Sequence, residues 1–234
     1  MNPHFDEMVT RMRDNQGRNL VSIIVYGSAV TNPGNSKKTD YQVLVITDHL
    51  SANDLRQMRR VVSWWTDNGY AIPVFLTAKE LGDSLDVYPI EFRHLKRAYR
   101  VIYGEDLLAG KEISQSNLRW QTEHELRGKL IRLRSLYLPA SLSKDELARL
   151  MTESVVTFVR IMRSLLEIVG EEPPVSRLET VKRVGERLKI DTSPVARVLL
   201  LRSEPNGLMD IETQDLFASY LECLESLIDQ VNSL

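Results

Sequence analysis

The chain has 234 residues, 43% hydrophobic and 26% charged, with a formal net charge of −2 and a pI near 6.1. That length buries a sizeable core, as one large domain or two modest ones. The near-neutral balance gives no global electrostatic case for nucleic acid or an anionic membrane surface. The single cysteine, Cys223, excludes an intrachain disulfide and a multi-cysteine metal site. It lies in an apolar-periodic stretch with Leu216, Tyr220, Leu224 and Leu227, so it reads as a small core residue. No apolar run approaches the ~20 residues that span a bilayer, and the first residues lack the apolar core of a signal peptide. The expected setting is reducing, cytoplasmic and away from membranes.

Elements alternate in the first half. Phe5, Met8, Val9 and Met12 share a helical face, and Gly17 is a natural stop. Leu20 to Tyr26 is a β-rich run ended by Gly27, and the polar stretch Thr31 to Lys38 reads as a turn region. Tyr41 to Ile46 is a second strand, continuously apolar in the manner of a strand buried on both faces. A helix is predicted over 51–68, with Ser51 as N-cap, Asp54 three residues on, and Leu55, Met58, Val62 and Trp65 at helical spacing. Ala71 to Leu76 reads as a third strand, and the capping-box pattern Thr77–Glu80 opens another helix. Between 88 and 103 the pattern predicts a helical turn near Ile90 to Leu95 and a short strand near Tyr99 to Tyr103.

After Gly104 the texture turns helical. The predicted helices run over about 116–138, with Leu126, Leu130, Leu133 and Tyr137 in a stripe, and from Ser143 to Gly170. They continue from the capping box Ser176–Glu179, from an N-cap at Ser193 followed by Pro194, and over about 211–232. These form an antiparallel helical bundle, and the boundary falls near residues 105–114.

Chemistry concentrates between Ile23 and Val45. A strand ends in Gly27-Ser28, a polar loop follows, and Asp40 stands at the start of the next strand, two residues before Gln42. Glycine lets the backbone approach a phosphate without a Cβ in the way. Ser28 offers a hydroxyl where a helix would begin, with backbone N–H groups and the positive end of the dipole facing an anion. An acid on the neighbouring strand can hold Mg²⁺, which bridges to phosphates. Two residues apart on a strand point to the same side. The plainer alternatives are a tight strand-to-helix turn at Gly27-Ser28 and a turn cap at Asp40.

This stretch resembles the signature of the DNA polymerase β-type nucleotidyltransferase superfamily: a strand, Gly-Ser, a spacer, then Asp-x-Asp or Asp-x-Glu in the next strand. Minimal and kanamycin-type members often pair such a domain with a helical bundle. The segment Pro89-Ile-Glu-Phe92 through Arg100 to Asp106 also resembles the end of such a domain. The resemblance implies that Gly27 and Ser28 bind phosphate and that Asp40 is the first metal-binding and catalytic carboxylate. The second carboxylate position is Gln42, which keeps the shape of glutamate without its charge and offers a hard cation only a weak neutral carbonyl, so Gln42 is expected to contact nucleotide. The family's third carboxylate lies on a later strand, yet Ile72 to Leu76 contains no acid; Asp83, Asp86 and Glu91 are the nearest in sequence.

Other features have ordinary readings. Lys37-Lys38 is a solvated loop pair or a phosphate contact, and Glu91 with Arg93 a salt bridge, an interface contact or part of a pocket. Arg119-x4-His124 fits the ribonuclease motif of HEPN toxins, but such a spacing arises readily by chance in a helix. Arg127, Lys129, Arg132 and Arg134 line the wet face of an amphipathic helix or an anion-binding face.

The expected fold is α+β: a nucleotidyltransferase-like mixed sheet with helices on one face over residues 1–110, then an all-α bundle over 111–234. The expected function is a nucleotide-binding or regulatory protein with an incomplete carboxylate set and weak or no transferase activity. A nucleoside triphosphate with Mg²⁺ is its ligand, and a protein partner or a homodimer forms through the bundle. The alternative is an active Mg-dependent nucleotidyltransferase acting on a hydroxyl of a small molecule or protein.

Overall fold

The computed structural model describes residues 3–27, 30, 37–38, 41–202 and 210–234. The chain forms two compact units, Met1–Ser114 and Gln115–Leu234. It is a mixed α/β fold followed by a helical region, as the sequence indicates.

The first unit is built on β1 (Leu20–Tyr26), β2 (Gln42–Thr47), β3 (Val74–Thr77) and β4 (Tyr99–Gly104), in the order β3-β2-β1-β4. Strand β1 runs antiparallel to both its neighbours, while β3 lies parallel to β2. The continuous apolar runs of β1 and β2 dictate what covers them, because alternate side chains leave opposite faces. Ile23, Val25, Val43 and Val45 pack under α1 (Pro3–Gln16) and α2 (Ala52–Asp67), with Phe5, Met8, Met12, Met58 and Trp65. Ile24, Leu44 and Ile46 pack on the other side with Leu81 of α3 (Ala78–Ser84) and Phe92 and Leu95 of α4 (Pro89–Arg97). Helices thus cover both faces, which corrects the expectation of helices on one face only.

Local chemistry sets the element ends. The capping box at α2 is complete: the Asp54 amide donates to Ser51 Oγ at 3.3 Å, and the Ser51 amide donates to the Asp54 carboxylate at 2.7 Å. The Ser51 hydrogen bonds hold the Asp54 carboxyl below its usual range. Thr77 and Glu80 repeat the device at α3. Strand β3 begins later than Ala71, at Val74: the Ala71 carbonyl accepts from Trp65 Nε1 at 2.9 Å, and Pro73 has no N–H to offer a ladder. Gly104 ends β4 at φ 75°, where an added Cβ would lie 1.9 Å from the Val21 carbonyl oxygen. Beside it Ser22 Oγ donates to the Glu105 carbonyl at 2.7 Å, fixing the strand exit.

The second unit contains, among the described residues, α5 (Gln115–Ala140), α6 (Lys144–Ile168), α7 (Arg177–Leu188), α8 (Ser193–Leu201) and α9 (Asp210–Ser233). Helix α6 packs against each of the other four. Its buried positions, among them Leu147, Met151, Val155, Phe158, Met162 and Leu165, form a broad inward stripe along its length. Full burial of such side chains stabilises by about 1.5–3 kcal/mol each. Ser143 and Ser176 cap α6 and α7 as their spacing predicts. The cap of α8 is Thr192 rather than Ser193: Ser193 is already the first helical residue, and its amide donates to Asp191 Oδ1 at 2.9 Å. Tyr137 completes the inner stripe of α5 by stacking on Phe217, with centroids 4.4 Å apart.

Two outcomes follow. Gly104→Ala forces a methyl into the Val21 carbonyl and a side chain into positive φ, and should cost about 3 kcal/mol or more in denaturant unfolding; wild-type stability would refute the close approach. Cys223 is 4% exposed, and burial first, then the Asp191 carboxylate, pushes its thiol up to about 12. A thiol reagent at neutral pH should leave the native chain unlabelled and label the denatured chain once.

Candidate functional site

Strand register decides which residues meet. Because β1 pairs antiparallel with β2 and β4, the end of β1 lies beside the starts of both, and Tyr26 stands opposite Gln42 on one side and Tyr99 on the other. Strand β3 starts at this end too, with Val74 beside Leu44. Gly27 and Gln42, separated by fourteen intervening residues, are therefore at one end of the sheet. Ser28 and Asp40 lie outside the described residues, so the expectations placed on them are neither tested nor corrected by this geometry.

Gly27 takes φ 106°, a conformation that disfavours any Cβ. Its N–H donates to the Ala98 carbonyl at 3.0 Å, and its carbonyl accepts from the Val30 amide at 3.0 Å. The Gly27 amide is thus committed to Ala98, the residue immediately before β4. The contribution of Gly27 is the turn out of β1, and an anion here would have to be met by amides further along.

Gln42 is exposed at the first position of β2 and alternates onto the face of Leu44 and Ile46. Tyr26 stands opposite it there, half-buried Tyr99 lies one strand beyond Tyr26 on the same face, and Val74, which is 46% exposed, pairs with Leu44 on that face. Desolvation pushes the Tyr26 phenol above its ordinary range. Burial does the same to Tyr99, aided by the hydrogen bond its hydroxyl donates to Asp106 Oδ2 at 3.0 Å. Asp106 in turn accepts the Leu108 and Ala109 amides at 3.0 and 3.1 Å, so its carboxylate is spent on a turn. Sequence reasoning passed over Tyr26, Tyr99 and Val74. Tyr26 carried one signal, its place immediately before Gly27; the other two emerge only with the register.

The loop's return into β2 is held from two sides. Lys38 Nζ donates to the Asn68 carbonyl at the end of α2, at 3.1 Å, and lies 5.4 Å from the centre of the Tyr70 ring. A cation at a helix C-terminus is favourably placed, so Lys38 is a structural tie. Tyr41 packs edge-on against Phe5 of α1, with centroids 5.3 Å apart. On the far side Tyr70 stacks on Trp65 at 3.9 Å and its hydroxyl meets His4 Nδ1 at 2.9 Å.

The described residues alone do not bring together a donor set for a pair of divalent cations. On the Gln42 face the third strand contributes Val74, and among the described residues no group of three or more His, Cys, Asp or Glu side chains comes together. Asp83 is paired with Lys79 at 2.5 Å on the surface of α3, and Arg93 donates to the Ile113 carbonyl at 3.4 Å. In the second unit Arg119 is occupied by the Val231 carbonyl at 3.3 Å and by Glu123 at 3.7 Å, which gives it a structural task within Arg-x4-His.

No protein-family model matches the sequence, and no curated protein matches it. Among solved structures, the chain is similar to spectinomycin adenyltransferase AAD(9) from Enterococcus faecialis, a crystal structure with ATP and spectinomycin. The identity is 15% and the TM-score 0.56, over 99% of this chain and 100% of that one. At that identity the likeness establishes the fold, which is nucleotidyltransferase-like.

The raised phenols give a pH test. A tyrosine whose native pKa is raised contributes stability that is complete below its unfolded value near 10 and is lost as pH climbs through the native value. In an absorbance titration of the eight tyrosines, Tyr26 and Tyr99 should ionise late, together with buried Tyr220. Tyr26→Phe and Tyr99→Phe should each remove part of that late amplitude; eight phenols ionising together near pH 10 in a folded chain would contradict the burial.

Proposed function

We propose that this chain is a nucleotidyltransferase-like protein that binds a nucleotide at the end of β1, with weak or no transfer activity. The observation that carries the reading is the neutral character of the face beside that end: Gln42 with Tyr26 and Val74 as neighbours, where the family's pattern has carboxylates. In this reading Gly27 and Ser28 form the phosphate turn and Asp40 is the one acid in the motif. Gln42 contacts nucleotide through its amide, and any Mg²⁺ arrives on the phosphates of the ligand. One carboxylate can meet such a complex, but it is a poor anchor for the cation pair that drives in-line transfer. Residues 1–110 serve as the nucleotide-handling domain and 111–234 as a bundle that meets a partner.

A second reading is favoured by the solved structure with ATP and spectinomycin. Here the chain is an active nucleotidyltransferase, in which an acceptor hydroxyl bonds to the α-phosphorus of an NTP, the bond to the β-phosphate bridging oxygen breaks, and pyrophosphate leaves. This needs a further acid beside Asp40.

Calorimetry with ATP, with and without Mg²⁺, separates the readings. The first predicts nucleotide binding that Asp40→Ala weakens by about tenfold or more, about 1.4 kcal/mol, with no pyrophosphate release. Gln42→Asp should then strengthen the dependence on Mg²⁺. Pyrophosphate release by the natural chain selects the second reading, and absence of binding to any nucleotide overturns both.

A further inference from the structure

We propose that Lys38 is a positioning residue of the candidate nucleotide site: it fastens the entry of β2 to the C-terminal end of α2, and it acts on the nucleotide through Gln42 and the motif acid Asp40. The inference rests on the nucleotide reading of that site. Lys38 stands two residues before Asp40 and four before Gln42 in the sequence, so what fixes Lys38 limits how far either can stray.

The anchor is built by the way α2 ends. The helix stops at Asp67, and Gly69 follows at φ 86°, where a side chain would be strained. The Gly69 amide donates to the Thr66 carbonyl at 2.8 Å and the Tyr70 amide to the Trp65 carbonyl at 3.4 Å, the paired hydrogen bonds of a glycine-terminated helix. Carbonyls at such an end carry partial negative charge and favour a cation. Lys38 supplies it, with Nζ donating to the Asn68 carbonyl at 3.1 Å. The stem of the same side chain lies over the glycine, since a Cβ added at Gly69 would stand 3.8 Å from Lys38 Cδ. The ammonium lies 5.4 Å from the centre of the Tyr70 ring, and that ring is 4% exposed and stacked on Trp65. Head and stem therefore both rest on a fixed surface.

The backbone passes this constraint on. The Tyr41 amide donates to the Lys38 carbonyl at 3.3 Å, a hydrogen bond between residues three apart of the kind that closes a turn. The Tyr41 ring packs edge-on against Phe5, which is 2% exposed in the core. Gln42 comes next and pairs with Tyr26 at the end of β1. Contacts made by an exposed charge add little to global stability, and ordering a long lysine side chain costs rotamer entropy. The return on the Lys38 contacts is thus local: they hold the start of β2 in place. Its head group is engaged with Asn68 and Tyr70, which assigns it to α2 rather than to the phosphates of a ligand.

Calorimetry with ATP and Mg²⁺ on the full chain tests it through a mutant cycle. Lys38→Met keeps the apolar stem and removes the ammonium. It should weaken binding about three- to fivefold and leave the melting temperature unchanged, and Lys38→Arg should restore most of the affinity. Because Lys38 acts through its neighbours, the loss should shrink when Lys38→Met is made in Asp40→Ala or in Gln42→Ala. The same loss in both of those backgrounds as in the natural chain would mean that Lys38 meets the phosphates itself, and overturns the proposal. So does a Lys38→Met chain that binds as the natural one, or one whose weaker binding comes with a lowered melting temperature. Absence of nucleotide binding by the natural chain is a separate result, read before any variant is made: it is the failure of the nucleotide reading, and this inference falls with it.

Discussion

The antiparallel pairing of β1 with β2 is the constraint on which the first unit depends. Its register, from Ile23 opposite Val45 to Tyr26 opposite Gln42, brings two segments far apart in the chain to one sheet end. The same pairing alternates apolar side chains to both faces and so obliges α1 and α2 on one side and α3 and α4 on the other to supply cover. A slip of one residue would turn Gln42 toward the α1–α2 core and expose half the apolar set. The tight exits at Gly27 and Gly104 and the capping boxes at Ser51 and Thr77 terminate elements whose positions this pairing has already set.

Much of this was legible in the residues. Strand β1 has the limits its composition indicates, and α2 starts where Ser51 and Asp54 say it should, because capping and β-branched runs act within a few residues. The continuous apolar character of β2 already implied two covered faces, and the expectation of one-sided helices did not follow it through. Relations across the chain were less visible. Nothing local marks Tyr99 as a neighbour of Tyr26, or Val74 as the residue on the third strand facing the Gln42 side; those follow from register and strand order, which long-range packing decides. Gly27 reads in the sequence as the residue that lets the backbone come close to a phosphate, and the structure adds that its own amide is given to Ala98. Ser28 and Asp40, the other half of the motif, lie outside the described residues.

The electrostatics of the sheet end form one pattern. The nucleotidyltransferase pattern that the sequence resembles places negative side chains there to bind cations that neutralise a triphosphate, and such a cluster is tolerable only while the cations are present. Here Gln42 presents a neutral amide with Tyr26 opposite it, and Val74 and Tyr99 lie on the same face of the sheet. Among the described residues, Gln42, Tyr26, Tyr99 and Val74 bring no formal charge to that face. In the proposed reading it meets a base, a sugar or a nucleotide with its own metal rather than a pair of protein-held cations. The solved structure of like fold that carries ATP and spectinomycin indicates how such a fold can be used, and at 15% identity it leaves the chemistry of this chain to its own residues.

The most direct measurement of the central claim is a count of divalent ions. Mn²⁺ titrated into the chain with a non-hydrolysable ATP analogue, followed by electron paramagnetic resonance, reports how many ions bind and whether they are coupled. The account predicts at most one Mn²⁺ per chain, held with the nucleotide and without exchange coupling. Two coupled ions, both lost in Asp40→Ala, would contradict it and would mean that a further carboxylate completes the site.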